Sequence, residues 1–68
     1  MATEIRALTA EGAARLKRAA DDPRREAEIL LGPALGQPRP WLMAHGETRI
    51  LDCEATDRFE AHVTRRAH

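Results

Sequence analysis

The 68-residue sequence has no serine and no tyrosine, one valine, one cysteine, one phenylalanine and one tryptophan, and its formal net charge at neutral pH is zero. Each shortage removes a class of structure or chemistry. Without serine there is no Gly-x-Ser-x-Gly elbow, and neither a Gly-x-Gly-x-x-Gly turn nor a Gly-Lys-Ser/Thr loop occurs, so nucleotide and serine chemistry are excluded. A lone Cys53 cannot close an internal disulfide; the fold has no covalent staple, and a reducing cytoplasm is the expected setting. The N-terminus carries Glu4 and Arg6 around Ile5 in place of an apolar signal run. No stretch approaches the ~18 apolar residues of a membrane span, so no membrane partner is expected. Eleven Lys and Arg are balanced by eleven Asp and Glu. A domain without cationic excess displaces few counterions from phosphates, which disfavours a dedicated nucleic-acid binder.

What remains is a helix-forming composition. No alternation of apolar and polar residues extends beyond the Ile50-Leu51 pair. The expected fold is all-α, a small four- or five-helix bundle-like domain over residues 1–68, expected to be monomeric. A chain this short buries only about 60% of the surface it exposes when unfolded, so its core is thin. Thirteen of its apolar residues are alanine. The candidate core is therefore Ile5, Leu8, Leu16, Ile29, Leu30, Leu31, Leu35, Trp41, Leu42, Met43, Ile50, Leu51, Phe59 and Val63, with Cys53 and Met1.

Thr3 is the expected cap of a first helix running to Ala19 or Ala20, with Ile5, Leu8, Gly12 and Leu16 on one face; a fresh start capped by Thr9 is the alternative. Asp21-Asp22-Pro23 is a strong start signal, an Asp cap followed by a proline whose missing N–H is not needed there. The second helix then reads Arg24 to Leu35 and closes on Gly36, with Ile29 widening its apolar stripe and Pro33 predicting a kink or an early end near Gly32. Gln37-Pro38-Arg39-Pro40 is a connector. A short third helix, Trp41 to Ala44, is expected to deliver the indole to the core. Ile50 and Leu51 are expected to tuck under a fourth helix, which Asp52 caps and whose buried face is Ala55, Phe59 and Val63.

The candidate chemistry is sparse. His45, Cys53, His62 and His68 lack the spacing of a zinc site, and no metal is expected. Cys53 reads as a half-buried small side chain. Glu26, Glu28, Glu54, Asp57 and Glu60 read as solvated helix faces laced with Arg24, Arg25, Arg58 and Arg65, so no catalytic residue is assigned. His45, before Gly46, suits a helix C-terminus, where it can bond the last carbonyls.

Read in order, Arg24-Arg25-Glu26-Ala27-Glu28-Ile29-Leu30-Leu31, Leu35-Gly36, Pro38-Arg39, Trp41-Leu42, Ala44-His45-Gly46-Glu47, Leu51, Phe59 and Arg65-Arg66 resemble the N-terminal domain of the HemK/PrmC family. The likeness spans residues 4 to 66 and is densest from Arg25 to Glu47. Pro33 departs from it where the family continues its second helix, and Pro40 stands where a serine or threonine is usual. The resemblance implies a parent enzyme that transfers a methyl group from S-adenosylmethionine to the glutamine of a peptide chain release factor's Gly-Gly-Gln tripeptide. The family's S-adenosylmethionine site and Asn-Pro-Pro-Tyr motif lie in a following catalytic domain, and neither is found in these 68 residues. No cofactor is therefore expected on this domain, and its implied partners are the release factor and its own catalytic domain. Its implied share is substrate recognition, with Arg24, Arg25, Arg39, Trp41, His45 and Arg65 as candidate contact residues; Arg25 and Glu28 are equally suited to structural pairs that tie helices together. Two other readings fit the residues alone: a stand-alone helical module that binds protein or nucleic acid, and a structural cap for a neighbouring domain.

Overall fold

A computed structural model describes residues 3–68, and the expected core residue Met1 lies outside the described residues. Among the described residues four helices form: α1 (Ile5–Leu16), α2 (Pro23–Leu35), α3 (Arg39–Ala44) and α4 (Cys53–Ala67). They agree with the all-α expectation. One addition is a minimal antiparallel ladder of β1 (Thr3–Glu4) and β2 (Arg49–Ile50), in which Thr3 faces Ile50 and Glu4 faces Arg49.

That ladder corrects the expected start of α1. Thr3 is a strand residue, not a cap, and Glu4 precedes the helix without a side-chain cap bond. None is needed, because the first free N–H groups of α1 find backbone acceptors in the α3–β2 loop: Ile5 N–H donates to the Thr48 carbonyl and Arg6 N–H to the Gly46 carbonyl, each at 2.9 Å. Thr9 caps nothing; it is buried inside α1 and its hydroxyl donates to the Ile5 carbonyl at 3.0 Å. The helix also ends earlier than Ala19, since the N–H groups of Ala19 and Ala20 both fold back onto the Leu16 carbonyl, at 2.9 and 3.0 Å.

In α2 the local signals operate as expected. The Asp22 carboxylate accepts the Arg25 N–H at 3.3 Å, and Pro23 is the first helical residue. Gly36 adopts φ 68°, a left-handed conformation that suits glycine, and lets Gln37 N–H reach the Gly32 carbonyl at 3.0 Å. The helix does not stop near Gly32. Pro33 lies in its last turn, where only the Ile29 carbonyl loses a partner, and the closing bonds over Gly36 hold the turn together. α3 begins at Arg39, two residues before the expected start, with Pro40 in its first turn. α4 is capped by Asp52, whose carboxylate accepts the N–H groups of Glu54 and Ala55 at 2.9 and 3.3 Å.

The core is built from Ile5, Leu8, Leu16, Ala27, Leu31, Ala34, Leu42, Ile50, Ala55, Phe59 and Val63. Phe59 sits where α1, α2 and α4 meet. A Cβ at Gly12 would lie 2.7 Å from Phe59 Cζ and 3.3 Å from the Ala27 methyl, so the glycine permits a close approach that offsets its poor helix propensity of about 1 kcal/mol. Three expected core residues face solvent: Ile29, Met43 and Leu51, at 46%, 66% and 82% exposure. Leu51 follows β2, where turning Ile50 inward turns its neighbour outward. Ile29 stands off the Ala27–Leu31–Ala34 stripe, and Cys53 is exposed in the first turn of α4, not half-buried.

Charged side chains lace α4 to the other long helices. Arg15 of α1 pairs with Glu60 at 2.7 Å and also reaches the Thr64 hydroxyl, while Arg66 pairs with Glu26 of α2 at 2.8 Å. Arg58 donates to the Ala34 carbonyl at 3.0 Å.

Candidate interaction site: an arginine-lined cleft

The chain path brings the N-terminal ends of α1, α2 and α3 together. Arg6 is the second residue of α1, Arg24 and Arg25 are in the first turn of α2, and Arg39 opens α3. These four arginines line a cleft of about 350 Å³. Its floor is the buried trio Ile5, Thr9 and Leu42, and the exposed Met43 stands at its edge. A shallower concavity of about 580 Å³ adjoins it and shares Arg6, Arg24 and Met43 as walls, with His45 and Glu47 beyond them.

The carboxylates at this cleft are already engaged. Asp22 caps α2. Glu28 is buried at 7% exposure, not on a solvated face, and pairs with Arg39 Nε at 3.1 Å, forming the kind of structural pair between helices that was its other expectation. A carboxylate at that depth is costly unless it is paired, and Arg39 supplies the partner from the next helix. Arg6 lies between Glu4 at 3.2 Å and Glu47 at 3.8 Å. Arg24 and Arg25 are exposed, and among the described residues neither side chain makes a hydrogen bond or an ion pair.

Of the six residues singled out from sequence, Arg24, Arg25 and Arg39 meet in the cleft and His45 lines the adjoining concavity. The other two stand apart. Trp41 is half-buried against the core, and its indole stacks on the His45 imidazole with ring centres 4.0 Å apart and planes 15° apart. His45 Nδ1 lies 2.8 Å from the Trp41 carbonyl; a carbonyl only accepts, so Nδ1 carries the proton and the ring closes the end of α3 as expected. Arg65 is exposed in the last turn of α4, away from the cleft, while its neighbour Arg66 reaches Glu26.

Sequence reasoning missed Arg6 and Met43. Arg6 reaches the cleft through the bond from its N–H to Gly46, a long-range contact with no local signature. Met43 follows the buried Leu42 on a two-turn helix, and one residue of rotation carries it to the outer face.

Chemically, the cleft offers guanidinium forks, which match carboxylate and phosphate geometry, beside an apolar ledge. It contains no nucleophile held by a base. Among the described residues, no three His, Cys, Asp or Glu side chains are gathered closely enough to hold a metal ion.

A family model described as the PrmC N-terminal domain matches residues 7–68. The release factor glutamine methyltransferases of Escherichia coli (strain K12), Shigella flexneri and Shigella dysenteriae serotype 1 (strain Sd197) are each 44% identical to the chain over 48 residues. Those 48 residues are 71% of this chain and 17% of each relative, so the chain spans well under a third of the proteins it matches. No solved structure matches it.

Proposed function

The chain belongs to the PrmC N-terminal domain family, and from that premise we propose that it is the substrate-recognition domain of a release factor glutamine methyltransferase. In this reading it binds and orients a release factor, and a catalytic domain not contained in these residues methylates the factor's Gly-Gly-Gln glutamine with S-adenosylmethionine. The methyl donor is held by that second domain, and this one binds no cofactor. The setting is the cytoplasm.

The observation that carries the reading is the convergence of Arg6, Arg24, Arg25 and Arg39 on one open cleft. An amide nitrogen is a weak nucleophile, so much of the help an enzyme gives it comes from holding it in line with the methyl group. A grip on the substrate well away from the reacting atoms provides such orientation. Arginine forks hold planar acidic groups at fixed angles, and a cationic patch also speeds encounter with an acidic partner. Nothing in the cleft suggests bond-making, which fits a positioning role.

The test is methylation of an intact release factor by the full-length parent, with and without residues 1–68, with kcat and KM measured separately. Removal is expected to raise KM for the intact factor at least tenfold while leaving a short Gly-Gly-Gln peptide unaffected, since the peptide is too small to reach a second site. Equal kinetics on the intact factor, with and without the domain, would dismiss the recognition reading and leave a covering role for the domain.

A further inference from the structure

We propose that the cleft receives an acidic protein segment carrying one apolar side chain, with its carboxylates forked by Arg24 and Arg25 and its apolar group laid on Met43. The proposal rests on the recognition reading and specifies its chemistry. Three observations carry it.

Arg24 and Arg25 are the cleft's unpaired cations among the described residues, whereas Arg39 is held by Glu28 and Arg6 by Glu4 and Glu47. The pair is also placed against the interest of the fold. Both lie in the first turn of α2, where the backbone dipole favours anions and disfavours cations. Residues that break a local stability rule without a compensating internal contact are the ones expected to serve binding. Met43, finally, is 66% exposed at the same edge, an adaptable apolar side chain beside two donors of hydrogen bonds.

The same surface fits a nucleic acid poorly. Asp22, Glu28 and Glu47 are set among the arginines, and a continuous row of phosphates would meet them, whereas a segment with two or three carboxylates can avoid them.

The experiment compares full-length parent enzymes acting on intact release factor: wild type, R24E/R25E, R24K/R25K, M43A and a charge-matched control, K17E/R18E, on the exposed turn after α1. R24E/R25E is expected to raise KM at least tenfold, with the gap narrowing in 0.5 M salt. R24K/R25K keeps the charge but loses the fork and is expected to raise KM about threefold, as is M43A. The control keeps the wild-type KM. The peptide acetyl-Gly-Glu-Asp-Leu-Gly-amide, with two carboxylates beside one apolar side chain, is expected to compete with the factor, and its Gln/Asn counterpart is not. In the 68-residue chain, R24E/R25E is expected to raise Tm by roughly 2–6 °C, which separates a binding role from a structural one.

Wild-type KM in R24E/R25E, alongside a raised KM when residues 1–68 are removed, would overturn this proposal and leave the recognition reading standing. Removal without effect would end both. Competition by a 20-nucleotide single-stranded RNA at concentrations where the acidic peptide has no effect would overturn the choice of partner.

Discussion

Two groups of arginines divide the molecule. Along the seam between α4 and the other long helices, Arg15 and Arg66 sit in the last turns of α1 and α4 and are paired with Glu60 and Glu26. At the cleft, Arg24 and Arg25 sit in the first turn of α2 without a partner among the described residues. The seam arginines agree with the helix dipole and with an opposite charge, so their presence is accounted for by the fold. The cleft pair agrees with neither. Helix position alone does not draw the line, since Arg6 and Arg39 also stand at helix starts and are paired with Glu4, Glu47 and Glu28; it is the want of an acidic partner at an unfavourable helix end that sets Arg24 and Arg25 apart.

The comparison can be broken outright by removing the core that supports both regions. Phe59→Ala is expected to cost about 3–5 kcal/mol, close to the whole stability of a domain this small. The far-UV circular dichroism of that variant at 25 °C should show a largely unfolded chain, with seam and cleft lost together. A smaller change strains that same core without emptying it. Gly12→Ala gains about 1 kcal/mol of helix propensity but forces a methyl to within 2.7 Å of the Phe59 ring. Overpacking of that kind costs about 1–3 kcal/mol, so the net loss is about 1 kcal/mol and Tm should fall by roughly 4–8 °C. The smallest effect sharpens the contrast most. Arg66→Ala removes a surface ion pair and should lower stability by less than about 1 kcal/mol, whereas Arg24→Ala removes a misplaced cation and should raise it by a few tenths of a kcal/mol. Urea midpoints of the two variants should move in opposite directions and converge on wild type in 0.5 M salt. A fall in both would mean that Arg24 belongs with the seam.

How far the molecule could be read from its sequence follows the range of the interactions involved. α2 was legible at both ends because Asp22, Pro23 and Gly36 act on backbone within a turn of themselves, and α4 was legible because Asp52 and the Ala55–Phe59–Val63 spacing are equally local. The start of α1 was not. Thr3 has the chemistry of a cap, yet the acceptors that satisfy α1 are carbonyls of Gly46 and Thr48, set by the chain's return from α3. Glu28 was legible only as a choice between a solvated face and a pair between helices, and the arrival of Arg39 from another helix decides for the pair. At the cleft, Arg24, Arg25 and Arg39 are residues the sequence singled out, but it set Arg65 beside them, which lies elsewhere. Arg6 was hidden, because the bond from its N–H to the Gly46 carbonyl that sets it at the cleft is a long-range contact.

That two-residue ladder has a consequence for motion. It joins the start of the chain to a point near residue 50, closing a long loop for only a few backbone bonds, and such contacts form late and open first. The ladder and the bonds from Ile5 and Arg6 to the α3–β2 loop hold one wall of the cleft, while Phe59 and its neighbours hold the rest of the molecule. Ile5 and Ile50 anchor the two sides of the ladder in that same core, so opening of its backbone bonds frees the α3–β2 loop and the first N–H groups of α1 while the side chains stay seated. A guest seated in the cleft against Arg24 and Arg25, beside this stretch of backbone, would act as a fastener, slowing exchange of the Ile5 and Arg6 amides with solvent.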